Sequence, residues 1–201
     1  WDKIQPRLST LTRTCSYDRA GLGLSDPAPG PRDGLAQARD LAATLKAAKI
    51  APPYILVAHS AGAMTARLFA DLQPDNVVGM VLIDPSVEGQ FDNQRAQVAA
   101  TVARYDACAA AASRHALPSK LPELARCNPP AKAAATAFDK QVAALMLTPA
   151  YWQTLAREYA AIAGANTDQL RRGRQSYGKL PLVVLTPGGT CPLTEQAQAQ
   201  L

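Results

Sequence analysis

Histidine is scarce in this chain, with only His59 and His115 among 201 residues. Aromatic residues make up 5% and charged residues 18%. No uninterrupted apolar stretch approaches the roughly 20 residues a bilayer-spanning helix needs, so no membrane span is expected. The net charge is +5, but the only dense basic cluster is Arg171, Arg172 and Arg174, with few aromatics nearby. Nucleic acid is therefore not an expected partner. Four cysteines, Cys15, Cys108, Cys127 and Cys191, show no zinc-ligand spacing. Gly21-Leu22-Gly23 is too short for a dinucleotide fingerprint, so no metal or organic cofactor is implied. The chain starts at Trp1, without a basic segment and apolar stretch of the kind a signal peptide carries. It reads as a processed chain or a piece of a longer one.

What is present suits one folded domain. The apolar fraction is 48%, although alanine supplies 40 of those residues. With so few charges the chain is too apolar for disorder. Spacings of three and four at Trp1, Ile4, Leu8 and Leu11 predict a short helix, and residues 12–17 are prone to form a strand in which Cys15 is buried. A glycine-punctuated loop and a proline-rich stretch follow. Residues 34–48 then place Leu35, Ala38, Leu41, Ala42 and Leu45 on one side of a helix. Pro52-Pro53 stops it and opens the run Tyr54-Ile55-Leu56-Val57-Ala58, a pattern for a strand buried on both faces of a parallel sheet. A helix over 61–72 and a second buried-type strand over 77–83, closed by Asp84-Pro85, extend the alternation. The order strand, helix, strand, helix, strand predicts an α/β fold with a doubly wound, mostly parallel sheet.

Residues 90–176 interrupt this order with about four alanine-rich helices, separated near Pro118–Pro122, Pro129-Pro130 and Pro149. Alanine favours helix but buries little area, so a thinly packed appendage is expected. The low-complexity stretch 131–137 reads as helix. A third buried-type strand over 180–185 restores the sheet, with Pro181 tolerated at its start.

The informative site is Ala58-His59-Ser60-Ala61-Gly62, where a strand runs directly into a helix. A serine on so tight a turn needs small neighbours two positions before and after, and its hydroxyl is held proud of the sheet. Ser60 is the candidate nucleophile, and the N–H of Ala61, at a helix N-terminus, is the candidate oxyanion donor. A plain helix N-cap is the alternative reading of Ser60.

Three blocks together carry a resemblance: residues 15–27 with Tyr17-Asp18-Arg19-Ala20-Gly21, residues 58–62 around Ser60, and Gly79-Met80-Val81-Leu82-Ile83-Asp84-Pro85. In their order and spacing the chain resembles the α/β-hydrolase superfamily. The resemblance implies an incomplete hydrolase core at 1–89 and 177–201, with 90–176 as a helical cap inserted after the strand that follows the serine turn. It implies a serine hydrolase acting on a small carboxylic ester or related acyl substrate through an acyl-enzyme. Amide or peptide cleavage on the same scaffold, or a non-catalytic binding protein, are the alternatives.

The triad acid has two allowed places, giving Asp84 as first choice and Glu195 as the other. The general base is missing: the resemblance places it past Leu201, and the loop giving a second oxyanion N–H before Trp1. His59 adjoins the nucleophile but points away from it, and His115 reads as a surface residue. Cys108 and Cys127, 19 positions apart, are the preferred disulfide pair, which would imply an exported protein; four free thiols in a cytosolic protein are the alternative. Trp152, Tyr105, Tyr159, Met146 and Phe138 read either as a substrate pocket over Ser60 or as ordinary packing. Asp18 and Arg19 are expected to fix their loop through charge-assisted hydrogen bonds.

Overall fold

The computed structural model describes residues 1, 3–130, 136–186 and 188. In chain order it holds α1 (Gln5–Leu8), α2 (Gly34–Ala47), β1 (Tyr54–His59), α3 (Gly62–Leu72) and β2 (Val77–Ile83). Then come α4 (Arg95–Ser113), α5 (Ala137–Leu145), α6 (Pro149–Ala163), α7 (Ala165–Arg172) and β3 (Leu182–Leu185), with short 3-10 segments at Asp92–Gln94 and Pro122–Cys127. Residues 131–135 of the low-complexity stretch, Cys191 and Glu195 lie outside the described residues.

The three strands form a parallel sheet in the order β1-β2-β3. Register is fixed by facing pairs: Leu56 opposite Met80, Ala58 opposite Leu82, and Leu82 opposite Val184. Helices α2, α3 and α7 contribute to one core on one side of this sheet. Ala38 of α2, Ala63, Met64, Leu68 and Phe69 of α3, and Met80 and Leu82 of β2 form the buried core, with Leu41, Leu45, Leu56 and Leu182 against it. Ile55 is 66% exposed and Val183 49%. The expectation of strands buried on both faces is therefore corrected. Among the described residues helices cover only the face carrying Leu56, Ala58, Met80 and Leu82, and alternate side chains of β1 and β3 stand open.

Helix starts follow local chemistry. Asp33 caps α2 by accepting from Ala36 N–H at 2.9 Å, worth about 1 kcal/mol. Its next orphan donors are met from α7: Asn166 Oδ1 accepts from Gly34 N–H at 2.7 Å and Gln169 Oε1 from Leu35 N–H at 3.0 Å. Leu170 of the same helix belongs to the sheet-side core. Thr136 and Asp139 form a reciprocal capping box at α5, and Pro149 opens α6 in the first turn, where its missing N–H is harmless.

Helices α4 and α6 carry a second core, made by Cys108, Ala109, Ala112, Cys127 and Trp152 with Tyr105, Met146 and Leu155 packed on it. Cys108 and Cys127 are disulfide-bonded across 19 positions, with Cα atoms 5.4 Å apart. Trp152 donates its indole N–H to Met146 O at 2.6 Å, and Tyr105 meets both Trp152 and Tyr159 ring to ring. These residues pack among themselves, and Phe138 is half exposed.

Residues 12–17 also depart from expectation. They form no strand, and Cys15 is exposed rather than buried. Side chains hold the segment instead: Gln5 donates to Thr14 O at 3.2 Å, and Ser16 Oγ donates to Gln5 Oε1 at 2.5 Å. Helix α1 is a single turn that buries nothing.

Candidate active site

Among the described residues, four other than glycine have positive φ: Lys49, Ser60, Asp84 and His115. Two are helix ends. Lys49 follows α2, with Ile50 N–H returning to Leu45 O at 2.9 Å; His115 follows α4, with Ala116 N–H returning to Ala111 O at 2.9 Å. Such closure favours a left-handed residue just past a helix. Ser60, at φ 52°, and Asp84, at φ 43°, are different. Each stands one residue past the end of a β-strand, where no helix closure accounts for the conformation. A side chain in this region costs about 1–2 kcal/mol, and such strain concentrates at functional sites.

The register puts the two side by side. His59 is opposite Ile83, and Ile83 opposite Leu185. Ser60 and Asp84 therefore leave neighbouring strands at the same level, about 5 Å apart by strand spacing. Hydrogen bonds hold both exits: Ser60 N–H donates to Ile83 O at 3.0 Å, Ser86 N–H to Ser60 O at 3.1 Å, and Asp84 N–H to Leu185 O at 2.7 Å. Ala61 occupies the N-cap of α3. Its N–H is among the helix-start donors that lack an intrahelical acceptor, beside the serine and at the positive end of the helix.

The small flanking residues touch. A Cβ on Gly62 would lie 3.9 Å from that of Ala58, an ordinary contact. The turn therefore tolerates alanine on the strand side, while anything larger at residue 58 would press on the start of α3.

The two histidines stay away from this arrangement. His59 ends β1 on the open face, opposite to buried Ala58, and is exposed. His115 terminates α4, also exposed. Among the described residues no group of three or more His, Cys, Asp or Glu side chains could hold a metal ion. No helix there is long and apolar enough to cross a membrane. A groove of about 610 Å³ lined by Leu45, Lys46, Tyr54 and Phe69 opens at the opposite end of β1. It lies roughly 20 Å from Ser60 by strand rise, too far to deliver a substrate to the hydroxyl.

Asp18 and Arg19 anchor their loop as their charges suggested. Asp18 accepts from Leu24 N–H at 3.0 Å. Arg19 grips Glu158 of α6 with two bonds, at 3.0 and 2.8 Å. Burial pushes the Tyr17 hydroxyl above its usual pKa, opposed by the adjacent Arg19 charge.

Sequence reasoning missed Arg67, Glu88 and Tyr177. Arg67 is 6% exposed on α3, and its Nη1 and Nη2 each donate to a Glu88 oxygen at 2.6 Å. Its Nε donates to Tyr177 Oη at 3.4 Å. The available signal was an arginine in the middle of a mostly apolar helix, since a buried guanidinium demands an anion.

The sequence profile of the alpha/beta hydrolase family matches residues 1–201. The protein YqjL of Bacillus subtilis is 42% identical over 87 residues, 43% of this chain and 34% of that protein. The chain thus spans about a third of this curated relative. Among solved structures, the epoxide hydrolase CorEH superposes with a TM-score of 0.65 at 16% identity, covering 92% of this chain and 68% of that one. A thermophilic esterase from Thermogutta terrifontis gives 0.57 at 21% identity, covering 92% and 65%. These likenesses concern the fold.

Proposed function

The chain belongs to the alpha/beta hydrolase family, and on that premise we propose that it carries the nucleophile of a serine hydrolase acting on carboxylic esters or related acyl compounds. One observation carries the reading: Ser60 is held at φ 52° between a strand and a helix, hydrogen-bonded on both sides to the neighbouring strand exit. A residue needed only as a helix cap has no reason to carry that strain.

In this reading Ser60 Oγ attacks the acyl carbon while its proton passes to an imidazole supplied from outside residues 1–201. The Ala61 N–H stabilises the tetrahedral oxyanion. Asp84, placed one strand away, orients that imidazole and stabilises its charged form. Collapse expels the alcohol with the proton, leaving an acyl-Ser60 ester, and water then releases the acid by the reverse proton path. Residues 90–176 would act as a cap over this edge. The Cys108–Cys127 disulfide supports an exported, oxidising location.

The test is a stopped-flow assay of the full-length protein with p-nitrophenyl acetate. The reading expects a burst of nitrophenol approaching one equivalent per active site, abolished in Ser60→Ala. A folded protein with no burst and no turnover would instead favour a non-catalytic binding role.

A further inference from the structure

Beyond the nucleophile itself, the loop that leaves β2 is secured by an ion pair that the proposed chemistry does not use directly. Glu88 lies four residues past Asp84. Between them Ser86 is 5% and Val87 4% exposed, so the link has little freedom. Glu88 receives both Nη atoms of Arg67 at 2.6 Å, and the Arg67 side chain is only 7% exposed. Arg67 belongs to α3, the helix that starts beside Ser60, and its Nε reaches Tyr177 on the approach to β3. One guanidinium therefore ties together the helix behind the serine, the loop behind the aspartate and the lead-in to the strand whose end, at Leu185, receives Asp84 N–H.

We propose that Arg67 and Glu88 are positioning residues that set Asp84 relative to Ser60; this rests on the serine-hydrolase reading above. A planar, two-pronged contact fixes angle as well as distance, which a lysine would not do. The far side of the loop is also held. Gly89 has φ 76°, and a Cβ there would meet Arg171 Nη2 at 2.9 Å and Asp92 Oδ2 at 3.1 Å. Arg171 itself donates to Asp92 at 3.0 Å. The charged and titratable groups facing Glu88 are thus Arg67 from α3 and Arg171 from α7, with Tyr177 and Asp71 beyond Arg67. Loosening the pair would let Asp84 drift, and displacement of a catalytic group by about 1 Å can cost about a hundredfold in rate.

The experiment uses the full-length protein with p-nitrophenyl acetate, comparing wild type with Glu88→Gln, Arg67→Lys and the double variant Arg67→Met/Glu88→Leu. The double variant leaves no orphan charge and so protects the test against simple misfolding. The expected result is a kcat at least about tenfold lower in all three, with KM within about twofold. The acid limb of kcat/KM should also move to lower pH, because a displaced Asp84 stabilises the imidazolium less. An active wild type whose folded variants keep kcat and the acid limb overturns the positioning role alone. A wild type that neither turns over ester nor reacts with a fluorophosphonate overturns the serine reading and this inference with it.

Discussion

Ser86 donates its backbone N–H to the carbonyl of Ser60 at 3.1 Å, while Ser60 donates to Ile83 at 3.0 Å. The exit of β2 thus holds the exit of β1 from both sides. That is the support a left-handed serine needs, since the surrounding bonds must outweigh roughly 1–2 kcal/mol of local strain. Asp84, left-handed as well, is held by Leu185 from the third strand.

Removing the strain should stabilise the fold. Ser60→Gly is expected to raise unfolding free energy by about 1 kcal/mol while ending acylation, the trade expected where strain serves function. Lys49→Gly, at a helix end of similar φ, should stabilise about as much with turnover unchanged. Chemical denaturation of the three proteins decides this.

Cutting the disulfide should loosen the helices that bury it. Cys108 and Cys127 are at most 1% exposed and lie at the centre of the second core. Loss of a 19-residue cross-link is expected to cost about 3 kcal/mol. Thermal melts of Cys108→Ser/Cys127→Ser against wild type, with and without reductant, should show wild type falling to the variant only when reduced.

Acid should weaken the Arg67–Glu88 pair in a predictable window. Burial raises the Glu88 pKa, but the Arg67 hydrogen bonds outweigh it and hold the carboxyl below its ordinary value of 4.5. A carboxylate with a depressed folded pKa stabilises above its unfolded value and loses that contribution as pH falls through the folded one. Between pH 6 and pH 3 wild type should therefore lose more unfolding free energy than Glu88→Gln. Parallel curves would contradict the assignment.

The contact between Arg19 and Glu158 joins the glycine loop to α6. Glu158 is nearly buried while Arg19 is 40% exposed. Solvent screening on the arginine side reduces what the pair is worth, so Glu158→Gln is expected to cost about 1–2 kcal/mol rather than the larger figure for a fully buried pair. A double-mutant cycle with Arg19→Met measures the coupling, and a value near zero would leave the loop held by packing alone.

The strands and helices of the sheet region were legible because their patterns are strong. Proline breaks bound the runs at residues 54 and 77, and the turn at Ser60 lies where strand meets helix without a linker. Residues 12–17 misled because strand propensity says nothing about whether a pairing partner is present. The run Tyr54–His59 suggested two buried faces, since an apolar strand reads the same whether one face or both are covered. Arg67 and Glu88 were invisible as a pair: they sit on different elements, 21 positions apart, and only the packing of β2 against α3 brings them together.

The central claim is that Ser60 is the nucleophile. Its most direct test is to treat the full-length protein with a fluorophosphonate and map the adduct by peptide mass spectrometry. The account predicts a single stoichiometric adduct on Ser60, slowed at least about tenfold in Asp84→Asn. A folded protein that remains unmodified, or carries the adduct on another serine, would contradict it.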